Sequence, residues 1–306
     1  MATTVPTLRK LVVTGATGKQ GGALIEALLA RPSPAFEIYA ITRNKNSASS
    51  QRLASSPNVH VIEGDFADPP AIFSQIKNPW GVFSVTMPTN AKKEEFQGKA
   101  MTAAALAAGA QHIVFTATDR GGETVSDVEP TPIPHFASKY KIEQDIISRT
   151  RENDAATYTF LRPVAFFENM PADFIGRAFI AAWRLNGLDS KLQLVSTKDI
   201  GRVAADAFLN ADSAEYKNTA ISLAGDELTL RELLETFQSA TGKPMPETYG
   251  FVARALKWLL HEQLGIMFDW FRSSGFGVDV PALRKRYPYI KDFRAWLDTD
   301  SAWKKT

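Results

Sequence analysis

Short apolar segments alternate with longer segments of helical periodicity along the first half of the chain. Six apolar segments are brief, rich in β-branched or aromatic residues and poor in polar alternation: residues 10–14, 37–41, 59–62, 81–85, 112–116 and 158–161. This pattern is typical of strands that are covered on both faces. Helices are predicted between them, most clearly at residues 22–30, 92–108 and 138–151. Strands and helices in alternation predict an α/β fold with a doubly wound parallel sheet.

The alternation ends near Pro163, and the rest of the chain is patterned mainly as helices. Residues 229–241 and 251–264 have helical periodicity. A strand at residues 193–195 is followed by a predicted helix at residues 197–211, and this segment (193–211) is expected to return to the sheet. The predicted domains are therefore residues 1–163, which hold the sheet, and a smaller, mainly helical C-terminal region at residues 164–306.

Composition narrows the classes of function. The chain has 35 Lys and Arg against 33 Asp and Glu, and this net charge of +2 provides no broad basic field for nucleic acid or an anionic membrane. No segment approaches the ~20 apolar residues of a membrane span, and the first ten residues lack the apolar core of a secretory signal. There are no cysteines and four scattered histidines, so no metal site is expected. These observations predict a cytoplasmic protein without nucleic-acid or membrane contacts.

A glycine-rich turn follows the first predicted strand and leads into an apolar helix. Glycines at positions 15, 18 and 21 permit a sharp turn, close approach of backbone N–H groups to a pyrophosphate, and close packing of the helix on the strand. The spacing G-x-x-G-x-x-G is a weak signal alone, and a tight turn without a ligand is the alternative. Its place on the first strand of a Rossmann-type domain favours a nicotinamide dinucleotide. The residues predicted to contact this cofactor are Gly15, Thr17, Gly18, Lys19, Gln20 and Gly21.

The end of the second strand predicts which dinucleotide is bound. An acidic residue there would accept the ribose hydroxyls of NAD, but the sequence reads Thr42-Arg43-Asn44-Lys45. Arg43 is able to form paired hydrogen bonds to a 2′-phosphate, with Lys45 nearby, which predicts NADPH/NADP+. A solvated surface arginine is the alternative.

Two further loops contribute predicted cofactor residues. Asp65 follows the third strand, beside Phe66, and either reaches the adenine amino group or caps the next turn. Met87 follows the fourth strand and is expected near the pyrophosphate and ribose.

Taken together, these motifs resemble the NmrA-like family, atypical members of the short-chain dehydrogenase superfamily. The matching residues are the turn at residues 15–22, Thr42-Arg43, Gly64-Asp65, His135-Phe136 with Lys139, Leu161-Arg162-Pro163, and Phe167-Glu168-Asn169-Met170. The resemblance covers residues 11 to 170 and continues more weakly through residues 196–201. It implies that Phe167 and Asn169 contact the cofactor. The family contains reductases of quinones, plant phenolics and fungal metabolites, and also redox-sensing regulators that bind NADP without turnover.

The resemblance also implies that Lys139 lies beside the nicotinamide ribose and has a catalytic role. Such a lysine either organises the ribose hydroxyls or moves a proton; a solvated lysine at a helix start is the alternative. The Tyr-x-x-x-Lys pair of typical short-chain dehydrogenases is absent, because Gln144 stands four residues after Tyr140. Tyr140 is therefore a candidate substrate contact, without the usual role of proton donor.

Thr118 and Asp119 follow the fifth strand, where substrate-contacting groups project in this fold, and are the other catalytic candidates. A carboxylate beside the nicotinamide would stabilise a cationic carbon–nitrogen substrate, which indicates imine or iminium reduction. Asp119 equally well caps a turn before Gly121 and Gly122. His135 either relays protons to a substrate or holds its loop in place.

The C-terminal region is unusually aromatic between residues 258 and 303. If Trp270, Phe271 and Phe276 face a ligand, they suit a bulky, flat, apolar substrate, and such a pocket could guide a coupled ring closure. Burial in the core is the alternative.

These observations predict an NADPH-dependent reductase of an aromatic imine, iminium, enone or carbonyl compound in secondary metabolism. A non-catalytic NADP(H) sensor that contacts a protein partner, and a cyclase or isomerase that uses the same site, are the alternatives.

Overall fold

The computed structural model describes residues 8–259 and 261–303. Seven strands form one sheet in the order β3-β2-β1-β4-β5-β6-β9. They are β1 Arg9–Val13, β2 Phe36–Thr42, β3 Val59–Glu63, β4 Gly81–Ser84, β5 His112–Thr116, β6 Thr157–Pro163 and β9 Thr219–Leu223. Strands β1 to β6 pair in parallel, and the order reverses between β1 and β4. This is the predicted doubly wound architecture, and such a reversal is where ligands bind in folds of this class.

Three short strands form a second sheet in the order β10-β8-β7. They are β7 Ala165–Phe166, β8 Lys191–Val195 and β10 Asp226–Thr229. The prediction that the segment at 193–195 returns to the large sheet is therefore wrong, because Leu194 pairs with Ala165 and Asp226. Strand β9, which the sequence pattern did not reveal, extends the large sheet instead. An apolar run predicts a strand but does not say with which neighbour it pairs.

Thirteen α-helices connect or follow these strands within the described residues. They are α1 Lys19–Leu29, α2 Ala48–Ala54, α3 Pro69–Phe73, α4 Ala91–Ala107, α5 Glu123–Val128, α6 Pro134–Arg151, α7 Phe174–Arg184, α8 Thr197–Leu209, α9 Leu230–Thr241, α10 Gly250–Leu259, α11 Ile266–Ser273, α12 Val280–Arg286 and α13 Phe293–Thr299. A 3₁₀ helix spans Phe167–Asn169 and a π-helical turn spans His261–Gly265. None of the helices in the described part of the chain is long and apolar enough to cross a bilayer.

The chain divides into two compact units, and each is discontinuous in sequence. Unit 1 comprises Met1–Ala117, Lys141–Leu161 and Ile200–Ala220; unit 2 comprises Thr118–Tyr140, Arg162–Asp199 and Ile221–Thr306. These units differ from the predicted domains, because residues 118–140 group with the C-terminal region and residues 200–220 group with the N-terminal one. A single boundary at residue 163 follows the change of pattern along the chain but not the contacts between distant segments.

Each unit has its own apolar core. In unit 1 the core lies between the strands and the helices, with Val12, Ile41, Val82 and Met101 among its buried members. In unit 2 the core is richer in aromatic rings, including Phe167, Trp183, Phe237, Phe268 and Trp296. Many of the C-terminal aromatic residues are therefore structural, as the alternative interpretation predicted.

Candidate functional site

The glycine-rich turn of unit 1 closes on itself after β1. Gly15 has a positive φ of 58°, and its carbonyl accepts a 2.8 Å hydrogen bond from the N–H of Gly18. A Cβ atom at position 21 would lie 2.4 Å from that same carbonyl oxygen. Only glycine fits at position 21 without opening the turn, which explains the spacing found in the sequence.

The turn delivers its chain into the N-terminus of helix α1. The N-cap residue, Gly18, makes no side-chain cap, and the first turn contains no acidic residue. Side chains therefore leave the first backbone N–H groups of this 11-residue helix uncapped, where the helix dipole favours negative charge. Within the described residues, Oε1 of Gln20 in the same turn is buried without a hydrogen-bond partner. The uncapped N–H groups fit the pyrophosphate of a dinucleotide, whereas the Gln20 oxygen is an acceptor and fits a hydroxyl or other donor.

Thr14 joins the ends of β1 and β4 and was not identified from the sequence. Its buried hydroxyl donates to the carbonyl oxygen of Phe83 at 2.9 Å and accepts from the N–H of Val85 at 3.0 Å. The loop that carries Met87 therefore leaves β4 from a fixed point beside the turn. A lone threonine at a strand end gives no sequence signal for this pairing.

A cleft of about 230 Å³ opens beside the turn, wholly within unit 1. Its lining includes six of the residues predicted to contact the cofactor, namely Gly15, Thr17, Arg43, Asp65, Phe66 and Met87. The remaining lining residues are Ile41, Thr42, Gly64, Thr86, Thr89, Lys93 and Gln97. The fold thus brings together residues from the ends of four parallel strands, and Asp65 is the sole carboxylate of this lining.

The cationic side chains after β2 are available to a ligand. Arg43 and Lys45 are exposed, and neither side chain has a hydrogen-bond or ion-pair partner among the residues that the structure describes. Arg43 lines the cleft, whereas Lys45 does not. A guanidinium without an internal partner at this strand end fits a 2′-phosphate.

Asp65 has the contacts of a turn-capping residue. Its Oδ1 accepts a 2.7 Å hydrogen bond from the N–H of Ala67, and its carbonyl accepts one from Asp68. A role in adenine recognition stays a prediction, which this exposed carboxylate would have to fulfil in addition to the cap.

Lys139 lies on α6 in unit 2 and is 9% exposed, so it is not a solvated surface lysine. Tyr140 is half-buried, with the Arg120 guanidinium carbon 5.1 Å from its ring centroid. The ring of His135 packs against that of Phe136, with 4.8 Å between the centroids. The main-chain carbonyl of His135 accepts a hydrogen bond from the Ser138 hydroxyl at 3.1 Å.

Asp119 is fully buried in unit 2 and joins three segments of that unit. Its Oδ1 accepts from the N–H groups of Gly121, Gly122 and Gly277 at 3.0, 3.1 and 3.0 Å, and its Oδ2 accepts from the Ser222 hydroxyl at 2.7 Å. These are the contacts of the turn-capping alternative. The sequence could not reveal Ser222 and Gly277 as partners, because they lie far along the chain.

The other residues after β5 are also engaged. The buried hydroxyl of Thr118 donates to the carbonyl oxygen of Pro163 at 3.2 Å. Arg120, which was not singled out from the sequence, is 1% exposed and donates to the carbonyl oxygens of Glu129, Thr118 and Ser126. The loop that precedes α6 is therefore organised by buried polar side chains.

Unit 2 contains a cleft of about 650 Å³ beside this loop. Its lining residues are Arg120, Gly121, Val125, Glu129, Thr131, Pro132, Ile266, Asp269, Trp270, Ser273, Ser274 and Gly275. Of the three predicted aromatic contacts, Trp270 lines this cleft, whereas Phe271 and Phe276 line a smaller cavity of about 130 Å³. Phe276 packs on Trp270 and Phe271, with centroid distances of 5.3 and 5.2 Å.

The side chain of Phe167 belongs to the core of unit 2. Its ring is fully buried and stacks on Trp296 at 5.3 Å. The neighbouring Glu168 accepts hydrogen bonds from the N–H of Thr197 at 3.1 Å and from the Trp296 indole at 3.2 Å. The Phe167 ring therefore has no free face for a cofactor, and its predicted cofactor contact stays a prediction; Asn169, half-buried at the end of the 3₁₀ helix, keeps a side chain within reach of solvent.

Solved structures of other proteins have the same architecture. The triphenylmethane reductase of Citrobacter sp., solved with NADP(H), matches with a TM-score of 0.71 at 19% identity, over 93% of this chain and 97% of that one. The negative transcriptional regulator NmrA, solved with NAD, also has a TM-score of 0.71, at 16% identity over 96% of each chain. Both likenesses confirm the predicted fold.

Sequence comparison shows the family. The NmrA-like family domain-containing oxidoreductase FrzB of Cladobotryum sp is 24% identical over 295 residues, which cover 87% of this chain and 84% of the relative. These findings agree with the sequence prediction of a nicotinamide-dependent oxidoreductase. The sequence model of the NmrA-like family matches residues 7–285, and the chain therefore belongs to the NmrA-like family.

Proposed function

We propose that the protein is an NADPH-dependent reductase of a bulky aromatic small molecule. The observation that carries this proposal is the cleft of about 650 Å³ in unit 2, a volume suited to a drug-sized ligand. Val125, Pro132 and Ile266 give it apolar walls, and Trp270 adds an indole ring. Such a lining favours a flat, apolar substrate over a small polar one.

The cofactor half of the proposal rests on unit 1. The N-terminus of α1 would hold the pyrophosphate, and Arg43 would form charge-assisted hydrogen bonds to a 2′-phosphate. No acidic residue directly follows β2, where one would repel the additional phosphate of NADPH.

The residues of unit 2 supply positioning and proton chemistry. A bound reduced nicotinamide would supply a hydride. Lys139, buried on α6, would organise ribose hydroxyls or donate a proton. Asp119 would fix the loop before α6 rather than touch the substrate, because both of its carboxylate oxygens already accept hydrogen bonds.

The type of substrate bond follows from the missing acid. The Tyr-x-x-x-Lys pair that protonates an alkoxide in typical relatives is missing at Tyr140, where Gln144 stands in place of the lysine. An imine or iminium requires less acid catalysis, because hydride addition to an iminium gives a neutral amine directly. We therefore rank aromatic imines and iminium ions first, and enones and carbonyl compounds after them, as substrates drawn from secondary metabolism; a ring closure coupled to the reduction is a further proposal.

Steady-state NADPH oxidation over a panel of flat aromatic imines, enones, quinones and aldehydes tests this proposal. We expect turnover with at least one class, and a loss of about tenfold in kcat/KM for Trp270→Ala with the Kd for NADPH unchanged. Trp258→Ala is the matched control, since Trp258 is 81% exposed and outside the cleft. The proposal fails if no panel member is reduced, or if both tryptophan variants behave alike.

A redox-sensing regulator is the second candidate, because unit 2 exposes large apolar side chains on and beside α10. Tyr249, Phe251, Trp258 and Leu259 are 66 to 81% exposed, which suits contact with a partner protein. A regulator would bind NADPH without oxidising any compound of the panel, and its affinity for a partner would differ between NADPH and NADP+.

A further inference from the structure

A buried network of hydroxyl groups lies beneath the loop that carries Arg43. Ser50, on α2, is fully buried, and its Oγ donates to the carbonyl oxygen of Asn44 at 2.7 Å and lies 3.2 Å from Thr42 Oγ1. Thr42 Oγ1 in turn accepts from the N–H of Asn44 at 3.3 Å. Both main-chain polar groups of Asn44 are thus bonded to side chains of the flanking strand and helix.

The same loop is tied at three further points. Ser47 Oγ lies 2.8 Å from Ser50 Oγ. It also accepts a hydrogen bond from the N–H of Ser50, which makes Ser47 the N-cap of helix α2. The N–H of Asn46 donates to Asn44 Oδ1 at 2.9 Å, and the N–H of Lys45 donates to Glu63 Oε2 at 3.2 Å. The main chain on the C-terminal side of Arg43 is therefore held at successive residues.

The side chain of Arg43 contrasts with its main-chain surroundings. The guanidinium is exposed, has no internal partner among the described residues, and borders the cleft beside the glycine turn. A long side chain without a side-chain tether is directed mainly by its backbone. Fixing that backbone reduces the ordering required when the guanidinium meets an anion.

We propose that Ser50 is a positioning residue for cofactor choice, which fixes the loop so that Arg43 meets the 2′-phosphate of NADPH. Ser50 does not itself contact the cofactor. This inference rests on the proposed role of Arg43, and it extends that role to a buried hydroxyl seven residues away in sequence. Loss of the Ser50 hydroxyl removes the shorter of the two hydroxyl contacts to the Asn44 carbonyl, leaves only Thr42 Oγ1 at 3.4 Å among the contacts described, and loosens the loop.

Isothermal titration of NADPH and NADH measures this effect as a ratio of two Kd values. We expect Ser50→Ala to lower the preference for NADPH about fivefold, with NADH affinity almost unchanged. Ser55→Ala is the matched control, because Ser55 ends the same helix, is exposed, and its hydroxyl donates to the nearby carbonyl oxygen of Arg52. Thr42→Val removes the other half of the network and should act in the same direction, which keeps the test available if Ser50→Ala does not fold.

A double-mutant cycle with Arg43→Ala shows whether Ser50 acts through Arg43. In the Arg43→Ala background, Ser50→Ala should leave the NADPH-to-NADH ratio unchanged. The inference is overturned if Ser50→Ala weakens both cofactors equally, as a merely structural role would, or if it still lowers the ratio without Arg43. An Arg43→Ala protein with an unaltered ratio would instead overturn the proposed cofactor preference itself, so the two failures are distinct.

Discussion

Protonation of His112 is expected to oppose folding below neutral pH. The imidazole is fully buried in unit 1, with Nδ1 2.8 Å from Thr157 Oγ1 and Nε2 3.2 Å from Thr159 Oγ1. Thr159 Oγ1 uses its proton to donate to the carbonyl oxygen of Tyr216 at 2.6 Å, so it accepts a hydrogen bond from Nε2–H of His112. In this neutral tautomer Nδ1 carries no hydrogen. Burial lowers the pKa of His112 to about 4; the charge of Asp212 opposes this shift, and that of Arg9 adds to it.

The magnitude follows from the difference between the two pKa values. Above pH 6.5, the ordinary histidine pKa, the side chain is neutral in both states and contributes no pH dependence. As the pH falls from 6.5 to about 4, the unfolded chain takes up a proton that the folded chain refuses, so the free energy of unfolding decreases. A shift of about 2.5 pKa units corresponds to about 3 kcal/mol at the lower end of this window.

Urea denaturation of the wild type and of His112→Gln across this pH window tests the prediction. The glutamine does not titrate, so the difference in unfolding free energy between the two proteins should narrow by about 3 kcal/mol as the pH falls. His60→Gln is the control, because His60 is exposed on β3 and pairs with Glu37. Parallel curves for wild type and His112→Gln would refute the reasoning.

Three further predictions concern the turn, a buried carboxylate and a carboxylate paired with two lysines. Gly21→Ala should weaken NADPH binding about tenfold by titration, because its Cβ meets a carbonyl oxygen, whereas Gly22→Ala, with its nearest atom at 3.4 Å, should not. Asp119→Asn should lower the free energy of unfolding by about 2 to 4 kcal/mol, measured with urea; lost turnover at unchanged stability would instead support a catalytic carboxylate. Burial raises the pKa of Asp300, but Lys291 and Lys198 lower it by more, so the pKa of the folded protein lies below 3.8. The stability that the ionised carboxylate contributes is therefore lost as the pH falls below 3.8, and the difference in Tm between wild type and Asp300→Asn should become smaller there; a larger difference would contradict the prediction.

The strands of unit 1 could be predicted because their signal is local. Strand β5 occupies the predicted residues, and β1 to β4 agree within about two residues, since apolar strands between helices leave a clear pattern. Helix α9 also has local signals at both termini. Thr229 and Glu232 form a capping box at its N-terminus, and Gly242 adopts the left-handed conformation at its C-terminus. Such signals lie within a few residues of the feature that they specify.

Features that depend on distant partners could not be predicted in this way. The place of strand β9 in the large sheet is fixed by neighbours outside the segment. The contacts of Asp119 join residues separated by 103 and 158 positions. The hydroxyl network of Thr42 and Ser50 is local, but serines in a loop are common, and only their burial distinguishes these two.

The discontinuous units determine which pieces of this chain can exist alone. The backbone passes from one unit to the other after residues 117, 140, 161, 199 and 220. A fragment that stops at residue 163 would lack Gly201, against which Ala23 of α1 packs, and Tyr216, which accepts from Thr159. Proteolytic removal of the C-terminal half should therefore yield an aggregating fragment instead of an independent cofactor-binding domain. During synthesis, unit 1 is complete only after residue 220, when nearly three quarters of these 306 residues have been made.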